Sequence, residues 1–176
     1  MKPSVSQVVA VLELLIRFHP AGMSILAGHA PSEDEIRDIV RSIRTTDDLG
    51  ARIMGWRKKN ALELDVCMID TVSWIIEGVG GWVNIRIAAE EYRNVMGPDL
   101  WREITDYVAF ISPGGTIRDG AGGYGKKFFG AGGKHGVTLR TARRRFRGLL
   151  RVIATKAMAM YNFDLSCDEA FSAGPR

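Results

Sequence analysis

The chain has 176 residues, of which 46% are hydrophobic and 25% are charged, and its formal net charge is +4. These averages are typical of one folded globular domain, with room for a small appendage, and they exclude a wholly disordered chain. No run reaches the roughly 18 consecutive apolar residues that a membrane span needs, so we expect no membrane partner.

The cysteines and the N-terminal residues indicate a cytoplasmic location. Cys67 and Cys167 are far apart in the sequence, and neither belongs to a CxxC pair. A small secreted protein would use more cysteines in disulfides. The apolar stretch from Val8 to Ile16 is interrupted by Glu13, which does not fit a secretory signal. The sequence therefore predicts a cytoplasmic protein.

Apolar residues recur at spacings of three and four along most of the chain, which is the spacing of one face of an α-helix. The first such helix extends from about Ser4 to Phe18 and ends before Pro20, because proline disfavours the helical state in the residue before it. Residues 21–31 are expected to form a loop or a short helical turn. Ser32 and Glu35 then make a capping-box pattern that begins a second helix.

Further helices are expected in the middle of the chain. A short helix is expected at about 46–56, the most apolar helix at 62–77, and two more at 84–96 and 100–111. Asn84 and Asp99 are the expected caps of the last two. No segment shows the sustained alternation of a strand. The predicted fold class is therefore mainly α, with a helical bundle over residues 1–112.

Residues 113–136 contain ten glycines among twenty-four residues and predict a flexible basic loop. Gly120 to Lys127 has the GxxxxGK spacing of a phosphate-binding loop. Lys127, however, stands where Ser or Thr would bind magnesium, so nucleotide hydrolysis is not expected. We interpret the stretch as a loop that becomes ordered on a polyanion, with a mobile linker as the alternative. Three aromatic side chains are able to stack on bases or dock on the bundle: Tyr124, Phe128 and Phe129.

A long basic helix is predicted at 137–162, followed by a tail at 163–176. Its expected buried face consists of Leu139, Ala142, Phe146, Leu149, Leu150 and Ile153. A second ridge of arginines recurs at spacings of four, three and four, with Arg143 beside it. The members of this ridge are Arg140, Arg144, Arg147 and Arg151.

Positive charge is concentrated in this part of the chain. Residues 118–156 contain eleven Lys or Arg against the single acid Asp119, so the segment carries +10 and the remainder −6. Such asymmetry indicates a polyanionic partner. The planar guanidinium group of arginine presents paired N–H donors that match the oxygens of a phosphate and the edge of a guanine base. The alternative is a solvated basic face, or one that pairs with the acidic helices at 33–48.

The string KHGVTLRTARRRF, within residues 134–153, resembles the turn and recognition helix of helix-turn-helix DNA-binding regulators. Gly136, Val137 and Thr138 match the turn glycine, the small apolar residue and the helix cap of that family. A supporting helix precedes the turn in the family, and here it would include the string FFGAGGKH. The resemblance implies that four early helix residues approach the bases: Arg140, Thr141, Arg143 and Arg144.

These patterns predict a non-enzymatic DNA-binding protein, a transcriptional regulator of the kind encoded by phages or mobile elements. The N-terminal bundle would mediate homodimerisation or contact with a protein partner. The alternatives are an interaction or assembly protein whose basic helix docks on an acidic protein, and a helical RNA-binding protein. The expected nucleic-acid contacts are Lys126, Lys127, Lys134, Arg140, Thr141, Arg143, Arg144, Arg147 and Arg151.

The sequence contains no pattern that indicates catalysis. No local Ser-His-Asp or Cys-His motif is present, so we predict no catalytic residues and no cofactor. The three histidines, His19, His29 and His135, are scattered along the chain without the spacing of metal ligands, so we predict no metal site.

Overall fold

The computed structural model describes residues 2–43, 61–112, 128–130 and 132–172. These residues form seven helices and no strand, which confirms the predicted all-α fold. The helices are α1 (Val5–Phe18), a 3-10 helix (Gly22–Ala27), α2 (Glu33–Ile43), α3 (Ala61–Glu77), α4 (Gly81–Met96), α5 (Pro98–Ile111) and α6 (Leu139–Ser172). The short helix expected at 46–56 lies outside the described residues.

Helix α1 lies at the centre of the core. Ser4 caps it in a capping box, since its hydroxyl accepts from the Gln7 amide at 3.2 Å while the Gln7 side chain accepts from the Ser4 amide at 2.8 Å. The apolar positions expected on one face include Val8, Leu12 and Leu15, and all three are fully buried. The helix ends at Phe18, just before His19-Pro20, as predicted.

Helix α6 packs against α1, α4 and α5, so it closes one side of the bundle. Five of the six residues expected on its apolar face are buried, and Phe146, Leu150 and Ile153 are fully so. The exception is Leu139 in the first turn, which is 38% exposed. The first turn of α6 therefore projects beyond the core that the rest of the helix covers.

The structure corrects several predicted boundaries. Helix α4 begins at Gly81, so Asn84 is not its cap but a buried residue whose Nδ2 donates to the Val79 carbonyl at 3.0 Å. Helix α5 begins at Pro98, with Gly97 at a φ of +83° as its cap, and Asp99 lies in its first turn without capping it. In both cases a glycine supplies the change of direction, because it adopts positive φ without steric cost.

The C-terminal helix is longer than expected. Residues 163–172 were predicted to be part of a tail, but α6 continues through them to Ser172. Cys167 lies within this extension as a half-buried free thiol. Among the described residues, no helix has both the length and the apolar content to cross a membrane.

Candidate nucleic-acid interface

Thr138 positions the start of α6. Its hydroxyl oxygen accepts from the Thr141 amide at 3.2 Å, which is the capping role that the sequence predicted. Gly136 precedes it at a φ of +63°, a conformation that glycine adopts far more easily than other residues. The Thr138 hydroxyl also lies 3.2 Å from the hydroxyl of the half-buried Thr141, so the cap engages this predicted contact residue.

Four arginines of α6 are exposed and have no acidic partner among the described residues. Arg140, Arg144 and Arg151 follow one another at spacings of four and seven residues, so they lie along one side of the helix. At a rise of 1.5 Å per residue, this row is about 16 Å long. Arg143 lies beside it in the first turns. We call these four residues the unpaired arginines.

Two other arginines of α6 are held by acids from neighbouring helices. Arg145 donates from Nη1 to Oε1 of Glu103 on α5 at 2.6 Å, and that carboxylate is buried. Arg147 contacts Oε2 of Glu13 on α1 at 3.3 Å, through both Nε and Nη2. We call Arg145 and Arg147 the paired arginines. The predicted ridge is therefore interrupted at Arg147, whose charge is partly neutralised within the chain.

The acids that hold the paired arginines lie on α1 and α5. The alternative considered from the sequence was pairing with the acidic helices at 33–48, of which residues 44–48 lie outside the described part of the chain. Glu13 and Glu103 each lie within an amphipathic helix, and Glu13 has buried leucines on both sides. Glu13 is the only acid of α1, and this is the signal that could have found it, because a buried charge requires a partner.

A groove separates α1 from α6 next to the row of unpaired arginines. It has a volume of about 430 Å³, and Val9 and Ala10 form its apolar wall. The Glu13–Arg147 pair lines it together with Arg151. Glu13 therefore places a negative charge beside a surface that is otherwise basic.

The residues just before α6 form a compact turn on α5. Phe129 is buried, with its ring centroid 6.3 Å from those of Tyr107 and Phe110, so it docks on the bundle and is not available for stacking on bases.

Two side chains of the same turn contact Asp106 on α5. Nε2 of His135 lies 2.6 Å from its carboxylate, and Nζ of Lys134 lies 3.7 Å from the same carboxylate. The Lys134 side chain is more than half exposed and remains accessible.

Parts of the predicted site lie outside the described residues. They include Lys126, Lys127, Tyr124 and the GxxxxGK string. The described residues from Phe129 to Thr138 form turns, bends and irregular backbone, and Phe128 before them is helical.

Tyr107 lies beneath this surface and against Phe146, at a ring-centroid distance of 5.8 Å. Burial raises the pKa of its hydroxyl, because the phenolate would lose its hydration, and the positive charge of Arg143 opposes that shift. The hydroxyl is therefore protonated at neutral pH.

Searches against models of protein families, curated proteins and solved structures gave no match to this chain.

Proposed function

We propose that the chain is a non-enzymatic DNA-binding protein that holds the duplex along the unpaired arginines of α6. The observation that carries the proposal is that some arginines of α6 have an acidic partner and others do not. Four exposed guanidinium groups have no acidic partner among the described residues, whereas Arg145 and Arg147 each have one. Like charges three and four residues apart on a helix repel each other, and bound phosphates would remove that repulsion.

The roles within the surface follow from position along α6. Arg140, Arg143 and Arg144 lie in the first two turns, where the exposure of Leu139 leaves the helix end accessible. A major groove about 12 Å wide admits such a helix end, so these arginines and Thr141 would approach base edges. Arg151 and Lys134 would contact phosphates, as would Lys126 and Lys127, which lie outside the described residues.

We propose transcriptional regulation as the biological role of this DNA binding. The resemblance of residues 134–153 to helix-turn-helix regulators supports a transcriptional regulator of phage or mobile-element type, located in the cytoplasm. The N-terminal bundle would then serve homodimerisation, since such regulators bind paired half-sites as dimers.

A second candidate function is docking of α6 on an acidic protein partner. Val152 is 40% exposed next to Arg151, and Phe163 is 68% exposed further along the helix. Exposed apolar side chains beside arginines are typical of protein–protein interfaces. RNA is the third candidate, and it shares the phosphate chemistry that favours DNA.

The test is titration of the full-length protein into labelled random-sequence duplex DNA, followed by fluorescence anisotropy at low salt. We expect the double variant Arg144→Ala/Arg151→Ala to bind at least about tenfold more weakly, because it can no longer engage two of the phosphates. The matched control is Arg41→Ala/Arg86→Ala, which removes two exposed positive charges from α2 and α4. The control should bind nearly as the unchanged protein does.

Two outcomes would contradict the proposal. One is the absence of DNA binding by the unchanged protein, and the other is equal weakening by both double variants. The first would favour the acidic-protein partner, and the second would indicate that DNA is bound through overall charge and not through α6. Titration with an RNA duplex and with single-stranded RNA in the same assay would distinguish RNA binding, the third candidate, from DNA binding.

A further inference from the structure

Folding brings together two histidines and a glutamate that are separated in the sequence. His19 follows the last turn of α1, His29 follows the 3-10 helix, and Glu35 lies in the first turn of α2. Nε2 of His19 lies 3.0 Å from Oε1 of Glu35, and Nε2 of His29 lies 3.3 Å from the same oxygen. The expectation that the histidines are scattered therefore holds for the sequence but fails for the fold, where the two rings are 4.9 Å apart.

We propose that His19, His29 and Glu35 bind a divalent transition-metal ion, with zinc as the best fit. Two imidazole nitrogens and one carboxylate are a ligand set that zinc sites use. With bonds of about 2.0–2.1 Å in a tetrahedron, neighbouring ligand atoms lie about 3.3 Å apart. The three donor atoms here all lie within 4.8 Å of one another, and two of their separations are 3.0 and 3.3 Å.

The surroundings of Glu35 support this assignment. Its Oε2 accepts from the Ser32 amide at 2.7 Å, which leaves Oε1 directed at the two histidines. Ligating carboxylates are commonly held by a second hydrogen bond of this kind.

His19 provides an independent observation. The residue is 6% exposed, and its buried Nε2 lies 3.0 Å from Oε1 of Glu35 without completing a hydrogen bond within the described part of the chain. A buried polar nitrogen without a partner is costly, and a metal ion would supply the missing interaction. His29 and Glu35 are each partly exposed, so a water molecule has access to the fourth position of the ion.

The tautomer of His19 gives the site a distinctive signature. Nδ1 accepts from the Ala21 amide at 2.8 Å, so neutral His19 carries its proton on Nε2 when no metal is bound. Coordination by Nε2 displaces that proton, and Nδ1 takes up a proton in its place. The Ala21 amide then loses its acceptor. Metal binding must therefore disturb the chain just after α1.

Zinc titration of the full-length protein, by isothermal calorimetry after treatment with a chelator, tests the proposal. We expect one zinc ion per chain, with binding weakened at least about tenfold in His29→Gln and in Glu35→Gln. His135→Gln is the matched control, because His135 also contacts a carboxylate, that of Asp106, outside the cluster. Circular dichroism would establish that each variant is folded.

A second readout distinguishes coordination at this cluster from binding elsewhere. On addition of zinc, the Ala21 amide resonance should shift and lose protection from hydrogen exchange in the unchanged protein and in His135→Gln. Stoichiometric zinc binding with Ala21 still protected would overturn the proposal. So would the absence of stoichiometric binding, or equal weakening in His135→Gln and His29→Gln. No nucleic acid enters these measurements, so their outcome is independent of the proposed function.

Discussion

Arg144 and Arg145 are neighbours in the sequence but have opposite surroundings. The Arg144 side chain is exposed and has no acidic partner among the described residues, whereas Arg145 neutralises the buried carboxylate of Glu103. The same contrast recurs further along α6 between Arg151 and Arg147. One helix therefore carries arginines that hold the bundle together and arginines that remain available to a partner. Residue type and net charge do not distinguish the two sets.

The largest effect that we expect concerns stability. Arg145→Ala would leave the buried Glu103 carboxyl group without its partner, and because Arg145 itself is 43% exposed we expect a cost of about 2 kcal/mol, below that of a fully buried pair. Arg144→Ala should change the free energy of unfolding by less than about 0.5 kcal/mol, as exposed substitutions usually do. Urea denaturation of both variants measures the difference, and the double variant Glu103→Leu/Arg145→Leu should recover part of the stability. Equal stability of the two single variants would remove the distinction between the sets.

The next effect concerns sequence preference. If Arg140 or Arg144 makes a bidentate contact with a base, its replacement by alanine should reduce discrimination against the wrong base by about 1–3 kcal/mol. Arg151→Ala should instead weaken binding to all sequences alike, because phosphate contacts carry no sequence information. Selection of preferred sites from a random pool, repeated with each variant, measures both. An unchanged preference in all three variants would exclude base contacts by these residues.

A smaller effect should come from releasing a paired arginine. Glu13→Gln removes the negative charge that holds Arg147 at the groove between α1 and α6. We expect DNA binding to strengthen severalfold, with a salt dependence steeper by up to about 0.9 in log–log slope, since Arg147 becomes able to bind one more phosphate. Glu90→Gln, which removes an exposed acid from α4, is the control for the change in net charge. Weaker binding by Glu13→Gln would show that Arg147 needs Glu13 for its position.

The smallest effect concerns an acid that is stabilised mainly by a backbone amide. The Ser32 amide holds the pKa of Glu35 at about 2, below the ordinary 4.5, so its contribution to stability is complete above about pH 4.5 and is lost as the pH falls through 2. Denaturation midpoints of metal-free protein between pH 5 and 2.5 should fall less in Glu35→Gln than in the unchanged protein. The same fall in both would contradict this assignment.

Local signals in the sequence were sufficient for most of the fold. The capping box of Ser32 and Glu35 and the cap by Thr138 were predicted correctly, because each depends on residues three positions apart. The buried face of α6 was predicted for the same reason, since helical spacing fixes which residues share a side. Asn84 was misassigned because a glycine at positive φ began α4 three residues earlier.

The site was less predictable, because it depends on contacts between distant segments. Glu13 and Arg147 are 134 residues apart, and Glu103 and Arg145 are 42 apart. Neither separation leaves a pattern in the sequence. The cluster of His19, His29 and Glu35 was missed similarly, since three segments contribute one ligand each. Pattern reasoning identified the basic helix, but only packing determines which of its charges are already neutralised.

The most direct measurement is the salt dependence of DNA binding by the full-length protein and its double variants. Arg144→Ala/Arg151→Ala should reduce the slope of log K against log salt concentration by about 1.8, because each phosphate that is no longer neutralised lowers it by about 0.9. Arg41→Ala/Arg86→Ala, which removes the same charge from α2 and α4, should leave the slope unchanged. A slope that is the same in the unchanged protein and both double variants would contradict the claim that the unpaired arginines of α6 bind phosphates.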